Sequence, residues 1–236
     1  MKPVLLLMII WALPAAAQQP APADLDRIIS TATAKETEFH NAFSHYTFKR
    51  EAHVQSIAQG GQIEGEYRRT SQLSFDAAGK PVEKIQFFPV PTMTAIRIST
   101  DDLDEPGGVS PFALEASKAA LYNFKYIGKE RIDELDLHVF DVTPKRVPDP
   151  KSKERLFQGR IWIDTQGNYI VKTRGKGVPE SKLFPVPNVE IYREEIDGNW
   201  FPTYAYADEE LILESGFPAR IRMKVTLSEF EKPRPK

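Results

Sequence analysis

Arg174-Gly-Lys-Gly177 sets two glycines around a lysine, the residue types that cradle a phosphate. Such a loop needs G-x-x-x-x-G-K-[ST] leading into a helix, so that backbone amides and the helix N-terminus face the anion. Here the chain continues Val178-Pro179, with no hydroxyl beside the lysine and no helical pattern. The segment reads instead as a strand that lets go in a glycine-rich loop. The four histidines, His40, His45, His53 and His138, have no spacing that would set a pair of zinc ligands on one face. No G-x-S-x-G elbow ties a serine to a histidine and an acid. The acidic doublets Asp101-Asp102, Glu194-Glu195 and Glu209-Glu210 are adjacent in sequence, and adjacent residues on a strand point to opposite faces. They read as solvated edges and turns, not as a paired acid and base. Cysteine is absent, which removes thiol nucleophiles, thiolate metal sites and disulfides together. These residues point to no reaction and no cofactor, so the expectation is a protein that is not an enzyme.

The first residues speak to compartment. Lys2, an apolar run from Val4 to Leu13, Pro14 and Ala15-Ala16-Ala17 describe a secretory signal peptide cleaved near Ala17. The run is shorter than the roughly 20 apolar residues that span a bilayer, and no later stretch is apolar enough to do so. The expected divisions are a signal peptide over 1–17, a disordered spacer over 18–23, one domain over 24–231 and a loose tail over 232–236. With 31 basic against 33 acidic residues, the chain has no electrostatic case for nucleic acid. An exported chain without disulfides must rely on its own core.

The elements that position any site follow from periodicity. Asp24 fits a helix N-cap, and Leu25, Ile28, Ile29, Ala32, Phe39 and Phe43 make one apolar stripe behind it. From Tyr46 the period becomes two, with Tyr46, Phe48, Ala52 and Val54 on one face. Gln59-Gly-Gly-Gln62 and Gly79-Lys-Pro81 turn the chain between long strands. Ile96 and Ile98 suggest a short strand, and Ser110-Pro111 opens a short alanine-rich helix. Further strands are expected at 123–129, 137–143, 155–164, 169–175, 189–196, 200–213 and 219–229. In the last, Ile221, Met223, Val225 and Leu227 alternate with Arg220, Arg222, Lys224 and Thr226. Asp197-Gly198 is a type I′ hairpin signal.

The sum is a mainly β, α+β chain of about ten antiparallel strands and two or so helices. Two helices cover only part of so wide an apolar face. The sheet therefore either folds over as a sandwich or barrel, or curls around the helices and leaves an apolar hollow. The side chains expected to line such a hollow are Tyr46, Phe48, Tyr67, Leu73, Phe75, Phe87, Phe124, Tyr126, Ile161, Ile163, Tyr204, Met223 and Val225.

The order of segments resembles a known family. A leader and an amphipathic helix precede "YTFKREAHVQ" and "EGEYRRTSQLSFD"; then come "YNFKYIGKERIDELDLHVFDVTPK", "FQGRIWIDTQGNYIVKTRGKG" and "GNWFPTYAYADEE…IRMKVTLSEF". This resembles the periplasmic outer-membrane lipoprotein-sorting superfamily, the LolA/LolB-like proteins with LppX and RseB as relatives. The most specific shared elements are V-F-D-V-x-P-K and G-x-I-W-I-D. The resemblance implies an open antiparallel half-barrel sheet closed on its concave face by helices, around a cavity for acyl chains. It implies a periplasmic carrier or binding protein for lipid or lipoprotein, without a cofactor. A protein-binding envelope regulatory module on the same fold is the second reading, and an unrecognised hydrolase the third. The family's lid-locking arginine is not placed by motif: Arg50, Arg68 and Arg69 lie in the right region, and spacing does not choose among them.

Overall fold

The computed structural model describes residues 20–94, 96, 98, 103, 114–151, 154–180, 187–212 and 216–232. The expected leader, the Ser110-Pro111 helix start and residues 233–236 of the expected tail lie outside these.

Helix α1 spans Pro22–Phe43. It begins two residues before the expected cap, so Pro22 and Ala23 of the expected spacer are helical. Proline at the first helical position needs no amide partner and already holds a helical φ, so Pro22 rather than Asp24 starts the helix. Asp24 falls in the first turn, where its charge suits the helix dipole. The buried stripe is Ile28, Ala32, Thr33, Glu36, Phe39 and Phe43.

Ten strands follow: β1 (Thr47–Ile57), β2 (Ile63–Phe75), β3 (Pro81–Phe87), β4 (Tyr122–Ile132), β5 (Leu135–Pro144), β6 (Leu156–Asp164), β7 (Ile170–Val178), β8 (Val189–Ile196), β9 (Asn199–Ile212) and β10 (Pro218–Glu231). They form one antiparallel sheet in the order β3-β2-β1-β10-β9-β8-β7-β6-β5-β4. Every neighbour is a sequential hairpin partner except β1–β10, where the last strand returns to the first. The sheet does not close: β3 and β4 are its two edges. This is an open half-barrel, as the resemblance implied.

Two of the expected elements are corrected. The second helix is not formed over the described residues 114–121; only a single 3₁₀ turn, Ala119–Leu121, is present. Leu114 and Tyr122 are both buried in the core, and Ala116 N–H donates to Thr37 Oγ1 on α1 at 3.2 Å. The intervening segment is thereby pinned at both ends and laid against α1, which leaves little chain to wind. Ile96 and Ile98 belong to no strand; both pack, half-buried, against the sheet.

Arg174-Gly-Lys-Gly177 is a third correction, because β7 runs through it to Val178. Gly175 is the register partner of Gly159 on β6. A Cβ on Gly159 would sit 2.6 Å from Gly175 Cα, and one on Gly175 would sit 2.8 Å from Gly159 Cα. These glycines serve close strand approach, which glycine alone permits.

The inward face carries two apolar clusters. One gathers Phe39 and Phe43 of α1 with Phe48, Tyr67, Leu73, Phe201, Met223 and Val225. The other gathers Ile28 and Ala32 of α1 with Phe140, Val142, Phe157, Ile161, Ile163 and Ile170. The helix thus lies across the strands, its C-terminal half over β1, β9 and β10 and its N-terminal half over β5–β7. A third cluster, Leu137, Val139, Trp162 and Val171, forms where Trp162 and Val139 alternate to the outer face.

Replacing Gly159 or Gly175 by alanine forces backbone apart in the middle of the β6–β7 pair. Each substitution is expected to cost about 1–3 kcal/mol, read as a fall in thermal midpoint; an unchanged midpoint for both would contradict the close-approach account.

Candidate functional site

The inward face near the β3 edge combines apolar side chains with a set of charges that alternation alone would not place there. On β1, Arg50 lies between Phe48 and Ala52 on the same face and is 1% exposed. Its Nη2 donates to Glu83 Oε1 of β3 at 2.8 Å. Arg69 of β2 donates to the same carboxylate, through Nε at 2.9 Å and through Nη2 to the second oxygen. Burial alone would raise the Glu83 carboxyl, but the neighbouring Ser71 together with Arg50 and Arg69 holds it below its ordinary value. Arg68, pointing the other way, is more than half exposed and pairs with Glu66 at 3.1 Å. Of the three arginines left open by spacing, Arg50 is the one sealed within the fold.

A strap of chain crosses onto this face directly after β3. Thr92 N–H donates to Glu66 O at 2.9 Å, and Glu66 N–H donates to Thr92 Oγ1 at 2.9 Å. The next residue passes over Gly65 so closely that a Cβ there would lie 2.6 Å from Met93 Cα. Met93, Ile96, Ile98 and the fully buried Leu103 then pack against the larger inward cluster. Phe43 of α1 also touches Phe48 of β1 and Phe75 of β2, so helix and strap share the cover at this end of the sheet.

The edge itself stays apolar and wet. Val82, Ile85, Phe87, Phe88 and Val90 are exposed, at 44% to 88%. Phe88 joins this rim to the interior: its ring lies 5.4 Å from that of Tyr67, and Arg69 sits over it at 5.4 Å.

Helix α1 is fixed to the sheet by a second buried charge pair. Arg193 of β8 donates to both Glu36 oxygens, at 2.5 and 3.1 Å, with both side chains about 97% buried or more. The guanidinium also lies 4.6 Å from the Phe39 ring centroid.

The structure brings most of the expected lining together. Tyr46, Phe48, Tyr67, Leu73, Phe75, Met223 and Val225 meet in the larger inward cluster, and Phe124, Tyr126, Ile161 and Ile163 in the smaller. Two stand elsewhere. Phe87 is 56% exposed on edge strand β3. Tyr204 points outward, as the register partner of Tyr192, beside the inward Ala205. Within the larger cluster, Phe39, Phe43, Phe48, Phe75, Phe201 and Phe230 are in mutual ring contact, centroids 4.9–6.5 Å apart. The sequence did not single out Glu36, Arg193 or Glu83, although Glu36 continues the spacing of the α1 stripe and position 50 interrupts the apolar face of β1. No group of three or more histidines and acids able to hold a metal occurs among the described residues.

Solved structures that resemble the chain are distant from it in sequence. A DUF1329 family protein from Desulfovibrio piger shares 14% identity, with 88% of this chain and 94% of that chain covered and a TM-score of 0.42. A LolA superfamily protein from Nitrosomonas europaea shares 15%, with 89% and 94% covered and a TM-score of 0.39. A protein domain from Vibrio parahaemolyticus named for outer membrane lipoprotein sorting shares 9%, with 88% and 94% covered and a TM-score of 0.37. No family model matches the chain, and no curated protein matches its sequence. No residue role is carried across at these values.

Two outcomes test the charge pairs. Replacing Arg193 by methionine strands the buried Glu36 carboxylate and is expected to cost about 3–5 kcal/mol. The double variant Glu36→Leu/Arg193→Met should recover most of that loss in urea denaturation, because the isolated charge, not the absent attraction, carries the cost. For Glu83 the folded value is depressed. Its contribution to stability is complete above the unfolded value of about 4.3 and is lost as pH falls through the lower folded value. Glu83→Gln should lower the thermal midpoint at neutral pH and flatten its decline below about pH 4.3. Parallel acid limbs in parent and variant would contradict this.

Proposed function

We propose that the protein is exported to the periplasm and binds lipid or lipoprotein acyl chains between the inward face of the sheet and the strap that follows β3. The observation that carries this reading is the apolar rim at the β3 edge, where Phe87 and Phe88 are exposed and Phe88 meets the inward cluster through Tyr67. An acyl chain entering there meets no strand-to-strand closure, because β3 and β4 do not pair. It displaces chain whose described residues are held by the packing of Met93, Ile96, Ile98 and Leu103 and by the two Thr92–Glu66 hydrogen bonds. Each buried methylene stabilises the complex by about 0.8 kcal/mol, so a long chain binds without a charged partner. The likeness to lipoprotein-sorting proteins agrees with this reading and adds no residue to it. No helix among the described residues is long and apolar enough to cross a membrane.

A protein-binding reading has one observation of its own. Strand β3 has a single sheet neighbour, so its outer backbone is open to an added strand from a partner. The two readings separate in one experiment. Protein purified from a periplasmic extract is analysed by native mass spectrometry and by displacement of a fluorescent fatty acid. Acyl binding predicts co-purified lipid and a displacement curve that Phe87→Ser/Phe88→Ser weakens at least about tenfold. Recovery of no lipid and no probe binding in the parent protein would overturn the acyl reading, and a partner captured equally by parent and double variant would favour the other.

A further inference from the structure

The two ends of the strands differ in chemistry. At one end the turns joining β2 to β3, β4 to β5, β6 to β7 and β8 to β9 each hold an acid: Asp76, Asp133 with Glu134, Asp164 and Asp197. The opposite end, over β3, β2, β1, β10 and β9, is nearly free of charge. Residues 58–63, which turn β1 into β2, and residues 85–94, which leave β3, contain no charged side chain. The connection from β9 to β10 has one acid, Glu214, which lies outside the described residues. Charge returns past these five strands, at Lys176 with Glu180 after β7 and at Lys145 and Arg146 after β5. Large apolar side chains stand in water at the uncharged tips: Ile63 is 52% exposed, Ile212 62%, Phe217 71% and Val90 88%.

Register sets these side chains next to one another. Ile57, the last residue of β1, pairs with Ile63 on one side and Arg220 on the other, and Ile212 pairs with Pro218 beside Phe217. The bonds between Thr92 and Glu66 keep the chain that carries Phe88 and Val90 at the same end. Five neighbouring strands span about 19 Å. Folding does not account for the exposed set, because Ile63, Val90, Ile212 and Phe217 belong to none of the three apolar clusters. The chemistry of the tips favours a bilayer over a protein partner. A protein interface sets an apolar centre inside a polar rim, where charges pair with the partner. A segment that sinks into lipid must shed charge, because a charged side chain is costly to carry into hydrocarbon. These tips shed it.

We propose that this end docks on a lipid bilayer, with Ile63, Val90, Ile212 and Phe217 entering its interfacial layer and the acidic turns facing away. The purpose of docking rests on the acyl-binding reading. Phe87 and Phe88, at the proposed acyl entrance, close β3 at the same end, so docking sets that entrance against the membrane that holds the chains. The contact works by apolar insertion and needs no anionic lipid. The basic side chains just behind the tips are already paired, Arg220 and Arg222 with Asp208 and Arg68 with Glu66.

The test is co-sedimentation of the protein, purified from a periplasmic extract, with vesicles of phosphatidylcholine alone or mixed with phosphatidylglycerol. Binding to both is expected, little changed by salt. Ile63→Ser and Phe217→Ser should each lower the partition about tenfold, with an unchanged thermal midpoint as the folding control. Phe217→Trp should bind as the parent does and add an emission that shifts to the blue and is quenched by brominated lipid. Both serine variants should still bind a fluorescent fatty acid in free solution as the parent does, so a failure of docking and a failure of acyl binding are read separately. A parent protein that sediments with neither vesicle would overturn the proposal. So would binding that survives both serine changes, or binding confined to phosphatidylglycerol and abolished by salt. Concentration-dependent dimers that Phe217→Ser dissolves would assign the tips to a second copy of the chain and overturn it as well.

Discussion

Among the described residues one long helix, α1, covers the inward face of ten strands, and that mismatch of areas governs the rest of the molecule. At about 4.8 Å per strand the sheet is roughly 43 Å wide if flat, while the 22 residues of α1 reach about 33 Å. Curling brings the sheet toward the helix but does not close it, since the edge strands β3 and β4 remain apart. Met93, Ile96, Ile98 and Leu103 add to the cover that α1 gives the larger inward cluster. The strap is thus a consequence of the shortfall, and Gly65 is the point at which the chain crosses over the sheet to meet it.

The same constraint explains where charge is buried. A helix lying across strands has few backbone partners, so its position depends on side-chain packing and on Glu36 with Arg193. A pair of this kind is weak evidence for stability, because desolvation offsets most of the attraction. It does fix geometry, since the bidentate guanidinium meets the carboxylate in few rotations and positions of the helix. Arg50 and Arg69 on Glu83 do the comparable task for edge strand β3, which otherwise has only β2 to hold it.

Much of this was readable in the chain, and the exceptions share a cause. The alternation of β10 survived intact, with Ile221, Met223, Val225 and Leu227 all buried. The Asp197-Gly198 turn has positive φ at both residues, 51° and 80°, as its type requires. These depend on local chemistry. Position 87 continues the alternation of β3 in sequence, yet a register shift between Thr70 and Ser71 pairs Phe87 with Thr70, off the buried face, and its ring meets water. Tyr204 belongs to a regular alternation too, but a register shift between Tyr192 and Arg193 lies beside it, and β9 is inverted relative to common usage. Gly175 and Gly177 looked like a loop because nothing in one strand reveals that its partner places Gly159 opposite Gly175 and Phe157 opposite Gly177. Long-range neighbours decide all three, and pattern within a segment does not contain them. The inward lining was mostly legible, while the buried ion pairs showed only as interruptions in apolar faces.

Strand β9 ties the two faces together. It is the strand that α1 approaches most closely, and Ala205 and Ala207 are small enough to allow that approach. Small inward residues let the helix seat low on the sheet, which draws Phe39 and Phe43 into contact with Phe201. That seating accounts for the inward half of β9 and leaves its outward half unconstrained by the core. Polar residues would satisfy a solvated face at no cost, as Arg220, Arg222 and Lys224 do on neighbouring β10. The tyrosines at 192 and 204 instead form a cross-strand ring pair, centroids 6.1 Å apart, with Lys172 and Lys224 laid over them, so that this face too contributes to holding β8, β9 and β10 together.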